Sequence, residues 1–150
     1  MTESTIKSHI QEDMKNAMRA QNKERLATIR LILAAIKQRE VDERIVLTDE
    51  DVITIMDKML KQRRESIALY ETGNRQDLAD KEAAEIIIIQ EYLPTPLSCA
   101  EIDALIEGAV QESGAASVRD MGKVMNIIKP KVLGRADVSA VSNKVKERLS

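Results

Sequence analysis

Apolar residues recur every three or four positions along most of this chain, the period of an amphipathic helix. Ile6, Ile10, Met14 and Met18, at steps of four, predict a first helix. Leu26, Ile29, Ile32, Leu33 and Ile36 predict a second, opened by Asn22 as N-cap and fading near residues 40–44. Thr48 followed by Asp49, Glu50 and Asp51 predicts a third. The hydroxyl suits a free N–H, and the carboxylates suit the positive end of the helix dipole. That helix carries Val52, Ile55, Met56, Met59, Leu60, Ile67 and Tyr70, with Gly73 as a left-handed C-cap. A fourth helix is expected over about residues 75–93, with Leu78, Ala83, Ala84, Tyr92 and Leu93. It includes the run Ile86, Ile87, Ile88, Ile89, whose β-branched side chains favour strands. No turn residue bounds the run, so its length argues for a helix buried on most of its surface.

Pro94 and Pro96 then interrupt the pattern. Ser98 and Glu101 have the spacing of a capping box and open a fifth helix that ends at Gly114. Ser117 to Asp120 open a sixth, stopped by Pro130, and Asp137 or Ser139 begins a last one with Val138, Val141, Val145 and Leu149. The expected fold is all-α in two domains: four antiparallel helices over residues 1–95 and a small three-helix domain over residues 96–150.

Composition narrows the chemistry. Tyr70 and Tyr92 are the only aromatics, so the core must be aliphatic and a base-stacking platform is nearly excluded. Cys99 is the single cysteine, which removes an internal disulfide and suits a reducing compartment. No stretch is long and apolar enough to span a membrane, and the first residues carry neither a signal core nor an Arg-rich transit pattern. A soluble cytoplasmic protein is expected.

Net charge is −2, but it is unevenly placed. Residues 1–93 carry a net −3. Residues 119–150 hold eight bases (Arg119, Lys123, Lys129, Lys131, Arg135, Lys144, Lys146, Arg148) against Asp120, Asp137 and Glu147, a net +5. Arg119 and Lys123 are one turn apart, Lys129 and Lys131 flank Pro130, and Arg135 follows Gly134. Cations gathered from two helices and their connection can track a phosphate backbone. Asn126, Ser139 and Asn143 are candidate ribose or base-edge donors, and Lys144 adds a cation on the last helix. A second basic group, Lys58, Lys61 and Arg64, is expected to pair with a neighbouring acidic helix.

Catalytic signals are weak. His9 and Cys99 are far apart in sequence, and Cys99 is expected to be an ordinary half-buried thiol. Asp49, Glu50 and Asp51 are better explained as a first-turn cap than as a cation site. No Gly-rich phosphate loop, nucleophile elbow or zinc-binding motif occurs. The expectation is no catalytic residue, no metal and no cofactor.

Residues 23–44 (KERLATIRLILAAIKQREVDER), 70–94 (YETGNRQDLADKEAAEIIIIQEYLP) and 121–149 (MGKVMNIIKPKVLGRADVSAVSNKVKERL) resemble the YqeY family of small bacterial proteins. The carrying motifs are Y-x-x-G-x-R-x-D-L, E-Y-L-P and G-R-A-D. The family usually continues G-R-A-D-G-S, whereas Val138 follows Asp137 here. YqeY proteins are similar to the C-terminal region of GatB, a subunit of the tRNA-dependent amidotransferase. There this helical region is a non-catalytic appendage whose tail contacts tRNA. The positions matching the GatB tail pattern are Gly122, Val124, Met125, Lys129, Lys131, Gly134 and Ala136. The resemblance implies a tRNA or structured-RNA binding module, or an accessory of tRNA charging. It does not imply amidotransferase chemistry. A helical protein–protein adaptor, with a partner in translation or tRNA charging, and a component of a carbon–nitrogen ligase using glutamine as nitrogen donor are the alternatives.

Overall fold

The structure is a computed structural model that describes residues 4–150. The described residues are helical: α1 (Thr5–Arg19), α2 (Lys23–Glu43), α3 (Asp49–Thr72), α4 (Gln76–Gln90), α5 (Cys99–Ser113), α6 (Met121–Val132) and α7 (Val138–Leu149), with a 3₁₀ turn at Val118–Asp120 before α6. The chain divides into two compact units between Leu93 and Pro94.

In the first unit α1 packs on α2, α3 on α4, and α2 on α4. Ile10, Ile29, Ile32, Ile36, Leu47, Val52, Met56 and Ile89 are fully buried, an aliphatic core as the composition requires. Each such side chain contributes roughly 2–3 kcal/mol of transfer free energy. The isoleucine run is helical, but Ile87 is 64% exposed, so α4 is buried on one side only. Four consecutive residues span more than one turn, and α4 has too few neighbours to cover all sides.

Helix ends follow local chemistry with three departures. Asn22 caps α2 and accepts from the Arg25 N–H at 3.2 Å, and Thr48 and Asp51 form a reciprocal capping box on α3. Asp49, expected to serve its own helix, instead caps α1. Its carboxylate accepts from the Ser4 Oγ at 2.5 Å, the Thr5 Oγ1 at 2.7 Å and the Ile6 N–H at 3.1 Å. The second departure closes α3. Gly73 has an ordinary φ of −82°, and Asn74 at φ 61° is the left-handed residue, one of the few types that tolerates it. Third, α6 runs through Pro130 to Val132. The missing proline N–H removes the bond to the carbonyl of Asn126, an exposed residue.

The second unit buries Val124, Ile128, Val132, Val141 and Val145 between α5, α6 and α7. Ser98 and Glu101 form the capping box of α5, and Gly114 closes it in the left-handed region. Gly134, at φ 72° and buried, turns α6 into α7, and Asp137 caps α7 by accepting from the Ser139 N–H. Val138 is the first residue of α7 and packs against the core. A left-handed residue is therefore not required where the family usually has glycine.

Candidate nucleic-acid interface

The eight cations of the tail fall into two sets. One set faces α5 or is held by a neighbour. Lys144 pairs with Asp103 at 3.2 Å, and Arg148 makes a two-pronged pair with Glu107. The Arg148 guanidinium holds the Glu107 carboxyl below its usual range, so this acid stays charged. Arg135 is half-buried, and its Nε donates to the Thr95 carbonyl at 2.9 Å, while its own carbonyl accepts from Leu97. Lys123 stands 3.8 Å from Asp120, whose carboxyl is held low first by the Ala116 N–H. Lys131 shares with Arg135, Glu101 and Leu105 a hollow of about 530 Å³, which puts it on the α5 side of α6.

The other set points away from α5. A helix advances by about 100° per residue, so Lys129 and Lys131 lie on opposite flanks of α6. Lys129 shares its flank with Asn126 and Gly122. On α7 the flank opposite Lys144 and Arg148 carries Ser139, Asn143 and Lys146. Both flanks are turned away from α5, and the two helices that carry them pack on each other along the α6–α7 seam. All six of these residues are exposed. Arg119 is exposed too, but it lies in the 3₁₀ turn, so it and Lys123 do not share a helix face as expected. Arg119, Lys129, Lys131 and Lys146 make no side-chain hydrogen bond or ion pair among the described residues. Gly122 leaves this face flat: a Cβ there would meet nothing within 4 Å.

The first unit spends its cations differently. Arg63, 12% exposed, donates to Glu85 at 3.0 Å with Glu82 at 3.9 Å, fastening α3 to α4. It takes the place expected for Lys58, Lys61 and Arg64, which point elsewhere on α3. Lys7 pairs with Glu40 at 3.0 Å, joining α1 to α2. The buried Tyr92 donates its hydroxyl to Asp13 at 2.6 Å and accepts from Arg25, which also reaches Glu91 at 2.5 Å. Burial first, and the Asp13 hydrogen bond second, hold the Tyr92 phenol protonated. The E-Y-L-P motif is thus the knot that ties the end of α4 to α1 and α2. Arg75 and Asp77 of Y-x-x-G-x-R-x-D-L form an exposed pair at the start of α4, at 3.1 Å. The Tyr92 contacts join residues 67 and 79 positions apart, so spacing alone did not reveal them.

The candidate chemical groups are otherwise engaged or isolated. Cys99 is exposed rather than half-buried, because it sits on the outer side of the first turn of α5. Among the described residues no three His, Cys, Asp or Glu side chains stand close enough to hold a metal ion. No described helix is long and apolar enough to cross a membrane.

The profile of the YqeY-like protein family matches residues 7–149. Altered inheritance of mitochondria protein 41, mitochondrial, of Pyrenophora tritici-repentis is 36% identical over 152 residues, covering 97% of this chain and 81% of that protein. Its namesake in Vanderwaltozyma polyspora is 40% identical over 101 residues, covering 65% of this chain and 55% of that protein. The Kluyveromyces lactis protein is 39% identical, again over 65% of this chain and 54% of its own length. These relatives are mitochondrial proteins, which overturns the cytoplasmic expectation. With almost its whole length matched by the family profile, this chain belongs to the YqeY-like protein family.

Proposed function

We propose that residues 96–150 form a domain that binds folded RNA, with tRNA as the expected class, and that residues 1–95 are a helical domain that carries it. The observation behind this reading is the α6–α7 seam. It presents Lys129 and Lys146 without acidic partners, beside Asn126, Ser139 and Asn143. Arg119 adds a third free cation before α6. Lys129 and Lys146 contact phosphates, and the polar side chains between them reach ribose or base edges. Lys123, Lys131, Arg135 and Lys144 contribute less, since they face α5 or already have neighbours. The similarity of YqeY proteins to the GatB tail supports the same reading, that of an accessory rather than an amidotransferase.

The two tyrosines lie outside this domain, so recognition is of RNA shape and phosphates rather than of stacked single-stranded bases. Titration of the full chain with tRNA at several salt concentrations tests the proposal. Three phosphate contacts predict a slope of log affinity against log salt of about −3. Charge reversal by Lys129→Glu with Lys146→Glu should weaken binding at least tenfold. Failure to bind at low salt, or indifference to the reversal, would overturn it.

A further inference from the structure

The outer face of α2 carries a second surface, independent of the RNA reading. This helix has apolar residues on both sides. Ile29, Ile32 and Ile36 fill the core, while Leu31 is 47% and Val41 62% exposed on the opposite side. The exposed positions on this side are ordered. Ala27, Leu31, Ala34, the polar Gln38 and Val41 follow steps of four and three, and Ile45, 42% exposed, continues the series just past the helix. That is the a/d spacing of a coiled-coil seam.

One edge of this stripe is basic. Lys23, Arg30 and Lys37 recur every seven residues along it, and Arg44 follows at the C-cap. All four are exposed. None makes a side-chain hydrogen bond or ion pair among the described residues, in contrast to Lys7, Arg39 and Arg63 of the same unit. The other edge carries the exposed acids Glu24 and Asp42 and opens into a hollow of about 540 Å³ between α2 and α3, where Asp42 and Glu43 stand beside Ala35, Ile55 and Met59. A cation every seven residues is one cation per about 10.5 Å of helix, in phase with the seam.

We propose that this face docks an amphipathic α-helix of a protein partner, one that has acidic residues at heptad spacing along one side of its apolar seam. Its apolar side chains lie along Leu31, Ala34 and Val41. Its carboxylates meet Arg30 and Lys37. The charge row argues against a second copy of this chain in antiparallel register, where the basic edges would face each other. The apolar stripe argues against a nucleic acid.

The probe is a synthetic peptide helix of roughly three heptads with leucine at a and d, glutamate along one flank of that seam and glutamine along the other, compared with the same peptide carrying lysine in place of the glutamates. Fluorescence anisotropy against the full chain should show the glutamate peptide binding at least tenfold more tightly. Arg30→Glu with Lys37→Glu should reverse that preference, and Leu31→Ser with Val41→Ser should abolish binding of both peptides. These positions are exposed, and unchanged helicity by circular dichroism verifies the fold of each variant. The proposal is overturned if neither peptide binds, if charge reversal leaves the preference unchanged, or if sedimentation shows the unmodified chain to self-associate and Leu31→Ser with Val41→Ser to be monomeric. tRNA titration of the same variants should be unchanged, which separates this surface from the α6–α7 seam.

Discussion

The two units treat charge in opposite ways. In the first, partly buried cations are consumed as ties between helices: Lys7 to Glu40, Arg63 to Glu85, Arg25 to Asp13 and Glu91. In the second, the ion pairs between helices run from α5 to α7, and the α6–α7 seam is left basic. The acids of the second unit are concentrated on α5, so a net positive charge alone did not decide where it would be accessible. A tie of low exposure keeps helices in register. An exposed cation with no partner keeps its whole field for something outside the fold.

Core truncation is the harshest way to break the comparison. Ile128→Ala should cost about 3 kcal/mol, measured by denaturant unfolding, because Ile128 is fully buried in a unit with few other large side chains. Removing a tie in the first unit comes next. Arg63→Met should cost about 2 kcal/mol, because it strands the Glu85 carboxylate near the α3–α4 interface. Tyr92→Phe should cost about 1 kcal/mol by unpairing Asp13 from the phenol. By contrast, Arg148→Ala should leave the unfolding midpoint unmoved, since the Arg148–Glu107 pair is solvent-exposed. A midpoint shift as large as that of Arg63→Met would erase the distinction.

Acid sharpens it further. The hydroxyl of Ser4, then that of Thr5 and the Ile6 N–H, hold the Asp49 carboxyl below its ordinary range. A carboxyl depressed in the folded state contributes stability that is fully present above the ordinary aspartate range, near pH 4. That contribution fades as pH falls through the depressed value. Amide exchange at Ile6 should accelerate there, and Asp49→Asn should remove most of the pH dependence.

The smallest effect concerns Gly122. Gly122→Ala should stabilise α6 by up to about 1 kcal/mol, since alanine is the better helix former and its Cβ meets open space. The same change should weaken tRNA binding if a phosphate lies against the glycine. Circular dichroism and titration on one sample measure both.

Much of this architecture was legible because helices announce themselves locally. Asn22, Thr48 and Ser98 each cap the helix their position predicts, and the steps of three and four located the cores. What was illegible was pairing across packed helices. Lys144 meets Asp103 across 41 positions, and Asp49 caps α1 across more than 40, so only packing reveals either. For the same reason eight cations counted along the tail could be read as one cluster, although they divide between two faces. The left-handed position at Asn74 rather than Gly73 shows the finer limit: both residues tolerate the conformation, and helix length decides which receives it.

The central claim is that unpaired cations of the α6–α7 seam, rather than the paired ones, make the RNA contact. The salt dependence of tRNA binding tests it most directly, comparing Lys129→Ala with Lys146→Ala against Lys144→Ala with Arg148→Ala. The seam pair should reduce the magnitude of the slope by about 2, one unit for each lost phosphate contact, and the α5-facing pair should leave it unchanged. Equal slopes for both pairs, or loss confined to the α5-facing pair, would contradict the account.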